Sequence, residues 1–211
     1  MTDPLQPPLF DELTFVGIRQ DPEGGPNRLA IGGYDRVLLA ESQRCAKRAE
    51  VAFTSKDNFE EAGASAAAVL CAAAACEARL SEYLVHYEMV STEPPPWIEE
   101  IRKGRDARDQ WREVLSRVAP AFEPGSSRQY LALGCLLRLR DGIAHRGARI
   151  AAVDTFPPRL EDCVRQQVIP VRVAQGADWT SVVFVHEVGK WAHGAARSWL
   201  ELAYSLAPLV C

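Results

Sequence analysis

The segment from Arg138 to Gly147 concentrates more potential phosphate chemistry than any other part of this 211-residue chain. Within it, Arg138, Arg140, Asp141 and His145 supply two guanidiniums, a carboxylate and an imidazole. An imidazole can transfer protons near neutral pH, and a guanidinium binds planar oxyanions with a permanent charge. Helical spacings of three and four place Arg138, Asp141 and His145 on one face. The long side chain of Arg140 can reach over the same surface or face a partner chain. The sequence therefore predicts a site for a phosphate-bearing substrate on this helix.

Helical periodicity, capping signals and prolines predict the elements that position this segment. Residues 1–33 are rich in proline and glycine, and we expect an extended or poorly ordered lead-in. The remaining residues, 34–211, are expected to form one domain, because a chain of this length can bury a single core. Five helices are predicted, at about residues 35–53, 57–90, 97–118, 128–148 and 188–206. The expected fold class is all-α, an up-and-down bundle.

Residues 140–145, Arg-Asp-Gly-Ile-Ala-His, resemble the R-x4-6-H signature of the HEPN superfamily, in which a polar residue usually follows the arginine. Arg138 also satisfies this spacing, at the long end of the gap. The Ala-rich helix 65–84, which holds Glu77, resembles the long helix that precedes the motif in many bacterial HEPN proteins. The resemblance covers roughly residues 35–207. It implies an HEPN-like helical domain that acts on RNA.

Cleavage of RNA without a metal requires a base for the 2'-hydroxyl, a cation for the phosphate and an acid for the 5'-oxygen. A histidine can serve as base or acid, and an arginine can neutralise the phosphate. One imidazole is poorly suited to both proton transfers, and the resemblance implies that two motifs face each other in a homodimer. We expect Arg140, Asp141 and His145 to be catalytic, Arg138 and Arg146 to bind RNA, and the product to carry a 2',3'-cyclic phosphate.

Several alternatives stay open on the residues alone. Glu77 lies in an apolar run where a free carboxylate is costly to bury, and we expect it to pair with an arginine such as Arg138. Arg140 would then be the catalytic arginine, although Arg138 can also be the motif arginine. His145 and Arg146 can instead be cations that favour a helix C-terminus. The second functional hypothesis is a non-catalytic HEPN-like module that binds a nucleotide, RNA or a protein partner.

Composition limits the remaining classes of function. There are 24 Lys and Arg residues against 28 Asp and Glu, and the net charge of -4 argues against nonspecific coating of nucleic acid. The six cysteines form no C-x-x-C pair, so we expect small buried thiols in a reducing compartment. Only His186 and His193 suggest a metal pair, and no metal or cofactor is expected.

We also expect a cytoplasmic protein that does not enter a membrane. Residues 1–12 contain acids and prolines rather than a basic apolar leader, and the uncharged run 62–76 is too short to span a bilayer. The HEPN resemblance implies a toxin or a defence effector. Such a protein would be controlled by an antitoxin or another regulatory protein.

Overall fold

The computed structural model describes residues 14–19, 28–91, 95–103, 106–144, 158–170 and 183–207. Within these ranges the chain forms two strands and seven α-helices. The strands are β1 (Thr14–Arg19) and β2 (Arg28–Gly32), and the helices are α1 (Tyr34–Ser55), α2 (Asn58–Val90), α3 (Trp97–Arg102), α4 (Ala107–Val118), α5 (Arg128–Ala144), α6 (Pro158–Arg165) and α7 (His186–Leu206). The predicted all-α class is confirmed for the body of the protein. The strands pair with each other as an antiparallel hairpin within the predicted lead-in.

Helix α2 is the centre of the packing. It contacts α1, α4, α5, α7 and both strands of the hairpin. Ala68, Ala72 and Ala75 on this helix are fully buried, and their small side chains allow neighbouring helices to approach closely. The carboxylate of Asp57 accepts the backbone N–H of Glu60 at 3.0 Å, as expected for the N-cap of a capping box.

Gly33 joins the hairpin to α1. Its φ of 92° lies in the left-handed region, which glycine adopts without the steric penalty of a Cβ atom. The carbonyl of Gly33 accepts the N–H groups of Arg36 and Val37 at 3.1 and 3.2 Å, so the helix begins directly after this turn.

Two predictions about the helices were wrong. The predicted helix 97–118 is divided into α3 and α4, because Lys103 leaves the helical conformation and Asp106 caps a new helix by accepting the N–H of Asp109 at 2.9 Å. Helix α6 was not predicted, because its two turns lie in a longer segment, 157–179, whose periodicity is low; Leu160 and Cys163 bury one side of it. The described residues therefore contain seven helices rather than five.

Helix α2 is also long and apolar enough to cross a membrane by length and composition, over Asn58–Met89. Half of its most apolar window is buried inside the fold. The core helix of a soluble protein passes the same test, so this property alone is weak evidence for a membrane span.

Two fully buried tryptophans pack where α4 and α7 meet. The rings of Trp111 and Trp199 lie edge to face, with centroids 5.4 Å apart. Nε1 of Trp111 donates a hydrogen bond to the carbonyl of Cys76 at 3.2 Å. Nε1 of Trp199 is buried and has no hydrogen-bond partner in the part of the chain that is described. The two indoles thus have similar burial and opposite hydrogen-bonding states.

We predict that Trp111→Phe destabilises the fold more than Trp199→Phe does. Both substitutions remove similar apolar area, but only the first loses a hydrogen bond, while the second removes an unsatisfied donor. The difference in the free energy of unfolding should be about 1–2 kcal/mol, measured by urea denaturation. Equal losses, or a larger loss for Trp199→Phe, would contradict this account.

Candidate active site at the end of α5

Helix α5 presents the motif residues because its opposite side is anchored in the core. Oγ of Ser127 accepts the N–H of Tyr130 at 3.2 Å and caps the first turn. The buried side chains are those of Tyr130, Leu133, Cys135, Leu136, Leu137 and Leu139. They hold α5 against α2 and α7. Arg138, Arg140 and Asp141 remain partly exposed at the C-terminal part of the described helix.

The predicted ion pair of Glu77 with an arginine of a neighbouring helix is confirmed, but the arginine is Arg140 rather than Arg138. Oε1 of Glu77 lies 2.5 Å from Nη2 of Arg140. Oδ1 of Asp141 lies 3.0 Å from Nε of the same arginine. The second contact is an ion pair without hydrogen-bond alignment, because Nε has no hydrogen-bond partner. One guanidinium is therefore balanced by two carboxylates and ties α5 to α2.

Arg138 lies on another side of α5. Its Nη1 is 3.8 Å from Sγ of Cys163, a weak contact with α6. Cys163 forms a disulfide with Cys135, and the Cα atoms of the two residues are 5.8 Å apart. The expectation of thiols at all six cysteines is therefore wrong for this pair, which links α5 to α6. Local sequence patterns do not indicate this pairing, because the two cysteines are 28 residues apart.

A cleft of about 270 Å³ lies between α4 and α5. Its lining includes Arg138, Arg140 and Asp141 of the motif, together with Arg108 from α4. The structure thus brings Arg138 and Asp141 to one cleft, as their spacing predicts. Arg108 was missed by the sequence analysis, because it is 30 positions from Arg138 and local patterns do not show that α4 packs beside α5.

The arginines of this cleft differ in their electrostatic partners. Within the described ranges, Arg140 makes ion pairs whereas Arg108 and Arg138 make none. Asp109 pairs with Arg112 at 3.0 Å, and the Asp106 carboxylate is occupied as the cap of α4. An incoming oxyanion would therefore meet two guanidiniums that form no ion pair among the described residues, in a cleft that Asp106, Asp109 and Asp141 also line.

His145 and Arg146 lie outside the described residues, so their predicted roles stay predictions. His145 follows Asp141 by four positions in the sequence.

A second group of ionisable side chains lies between α2 and α7. Nδ1 of His186 is 3.2 Å from both Oε1 of Glu61 and Oε2 of Glu187. The three ligand atoms are close enough to hold a metal ion. Glu61 also accepts the backbone N–H of His186 at 2.9 Å, and the imidazole stacks on Phe53. The sequence pointed to His193 as the companion of His186 and missed Glu61, which is 125 positions away.

His193 has a different environment, against α1. Burial lowers the pKa of its imidazole, and the neighbouring Arg197 lowers it further. These effects favour the neutral form. The structure thus gives the two histidines separate surroundings.

No family model, curated protein or solved structure matches this chain.

We predict that Arg140 rather than Arg138 contributes to stability. The side chains of Arg140 and Glu77 are 28% and 34% exposed, so solvent weakens their interaction relative to a buried pair. Arg140→Ala should lower the free energy of unfolding by about 1–2 kcal/mol, and Arg138→Ala by less than about 0.5 kcal/mol.

The matched control is a double-mutant cycle with Glu77→Gln. In the Glu77→Gln background the effect of Arg140→Ala should shrink, because the ion pair is already lost. An unchanged effect of Arg140→Ala, or a larger loss for Arg138→Ala, would show that this ion pair does not hold the two helices together.

Proposed function

We propose that this protein is a HEPN-type, metal-independent endoribonuclease that acts as a cytoplasmic homodimer. The observation that carries the proposal is the cleft beside α5, which Arg138 and Asp141 both line and in which Arg138 forms no ion pair with a described residue. Such a guanidinium is suited to a phosphodiester. The HEPN-like bundle remains part of the proposal; the helical class and the long α2 before the motif are compatible with it.

The proposed reaction is an attack by the substrate's own 2'-oxygen on the adjacent phosphorus. His145 removes the 2'-hydroxyl proton as the new P–O bond forms. The bond from phosphorus to the 5'-oxygen breaks, and the partner's His145 protonates that oxygen. The products are a 2',3'-cyclic phosphate and a 5'-hydroxyl, and each imidazole ends in the opposite protonation state.

In this proposal each arginine of the motif segment has a different role. Arg138 contacts the phosphate that gains charge in the transition state. Arg140, held between Glu77 and Asp141, orients the end of α5 and offers its remaining N–H groups to the substrate. Arg146 binds RNA farther from the cleaved bond.

A non-catalytic HEPN-like module is the second candidate, and the pairing of Arg140 favours it. Two carboxylates beside this guanidinium reduce its attraction for a transition state of growing negative charge. A module that binds a nucleotide, RNA or a protein would not need that attraction. In this case His145→Ala would leave the protein's function intact.

The physiological role proposed with the activity is that of a toxin or defence effector. A free ribonuclease would damage its own host, so an antitoxin or a regulatory protein would restrain it until a trigger arrives. This part of the proposal depends on the HEPN resemblance.

We predict that the wild-type protein cleaves RNA in EDTA and that His145→Ala abolishes cleavage. A substrate with a single 2'-deoxy residue at the cut site should be inert, because it lacks the attacking oxygen. The rate should be bell-shaped in pH, since one imidazole must be neutral and the other protonated, with apparent pKa values near the ordinary histidine value of about 6.5. Gel analysis of end-labelled RNA measures each result.

The controls separate this mechanism from the alternatives. Equal cleavage by wild type and His145→Ala would indicate a contaminating nuclease. Cleavage of DNA, a need for magnesium, or a monomer in light scattering at tens of micromolar would contradict the two-histidine mechanism. Tight RNA binding without cleavage would support the second candidate.

A further inference from the structure

Arg108 reaches the cleft from α4 and is held there by α5. Its Cζ lies 5.0 Å from the centre of the Tyr130 ring, within the range of a cation–π contact. The phenol of Tyr130 donates a hydrogen bond to the carbonyl of Arg108 at 3.0 Å. Burial raises the pKa of this phenol, which keeps the donor protonated near neutral pH. Tyr130 thus positions both the backbone and the side chain of Arg108.

Gly134 makes room for this guanidinium. A Cβ atom at position 134 would lie 2.9 Å from Nε and 3.1 Å from Cδ of Arg108, closer than side-chain atoms normally approach. The side chain of Arg108 therefore lies directly against the backbone of α5 at Gly134, and both residues line the cleft. Glycine in a helix interior costs about 1 kcal/mol relative to alanine, and close approach of Arg108 accounts for its presence here.

The guanidinium of Arg108 is only partly buried, and it forms no ion pair with another described residue. Its Nε is buried against Gly134 and has no partner in the described part of the protein, so a ligand in the cleft would meet the terminal nitrogens instead. Arg138, which also forms no ion pair within the described residues, lines the same cleft. Two cations with spare donors facing one cleft are suited to an oxyanion.

We propose that Arg108 and Arg138 form a binding subsite for a backbone phosphodiester of single-stranded RNA. This inference rests on the proposed function and names the part of the substrate that the cleft takes. A volume of about 270 Å³ is smaller than a typical pocket for a whole small molecule, so the cleft suits a phosphate on a passing strand. Inorganic phosphate and a nucleoside monophosphate offer the same oxyanion, and the experiment distinguishes them from a strand.

The test uses His145→Ala as the parent protein, so that binding is measured without cleavage. Fluorescence anisotropy with a labelled single-stranded RNA oligonucleotide should give a Kd roughly 10-fold higher after Arg108→Gln. The slope of log K against log salt should fall by about 0.7, the value for one lost phosphate contact with a single strand. Arg108→Lys should recover part of the affinity, because it keeps the charge without the planar fork.

Two further variants separate binding from folding. Arg48→Gln is the matched control, because Arg48 is an exposed arginine of α1 paired with Glu60, and its removal should change neither the Kd nor the slope. Gly134→Ala should weaken binding as Arg108→Gln does, since the added methyl displaces the guanidinium. Thermal melting of each variant verifies that it is folded at the temperature of the assay.

The outcomes decide between the subsite and its alternatives. Unchanged affinity and salt slope in folded Arg108→Gln overturn the inference. Equal competition by inorganic phosphate or adenosine monophosphate at the concentration of RNA phosphate overturns the assignment to a strand. RNA binding that depends on Arg108, together with a wild-type protein that does not cleave, supports the subsite and refutes the proposed ribonuclease.

Discussion

The polar side chains of the central helix α2 are the constraint on which the positions of its neighbours depend. Helix α2 is covered from several sides, and its polar groups must find partners inside the protein. Ser65 donates to the carbonyl of Val185 at 2.7 Å, and Glu61 accepts the N–H of His186 at 2.9 Å. These two bonds place the start of α7. Glu77 likewise positions the C-terminal part of α5 through its ion pair with Arg140.

Arg79 extends this principle to the other end of α7. It is fully buried, donates to the carbonyl of Ala207 at 3.1 Å and stacks on the ring of Tyr204. The phenol of Tyr204 in turn donates to Asp35 in the first turn of α1. Burial lowers the pKa of Arg79, and the negative charge of Asp35 opposes that shift. One charged network therefore joins α1, α2 and α7.

The sequence predicted the long elements better than the contacts between them. Helices α1, α2 and α7 were predicted to within about two residues, because their periodicity and the Asp57 cap are local signals. The division into α3 and α4 and the existence of α6 were missed, since short helices contain too few turns to show a period. Arg108 and the disulfide were missed because they depend on how distant segments pack, which local patterns do not encode.

The pairing of Arg140 could have been anticipated from helical geometry. Leu133 and Leu136 are fully buried, and Arg140 follows them by seven and four positions, so it continues the buried stripe toward α2. Arg138 is two residues away, about 200° round the axis, and cannot share that face. It follows Gly134 by four positions and lies over the cleft instead. The two arginines of one motif therefore have different electrostatic settings, and the weaker neutralisation of Arg138 makes it the better ligand for a phosphate.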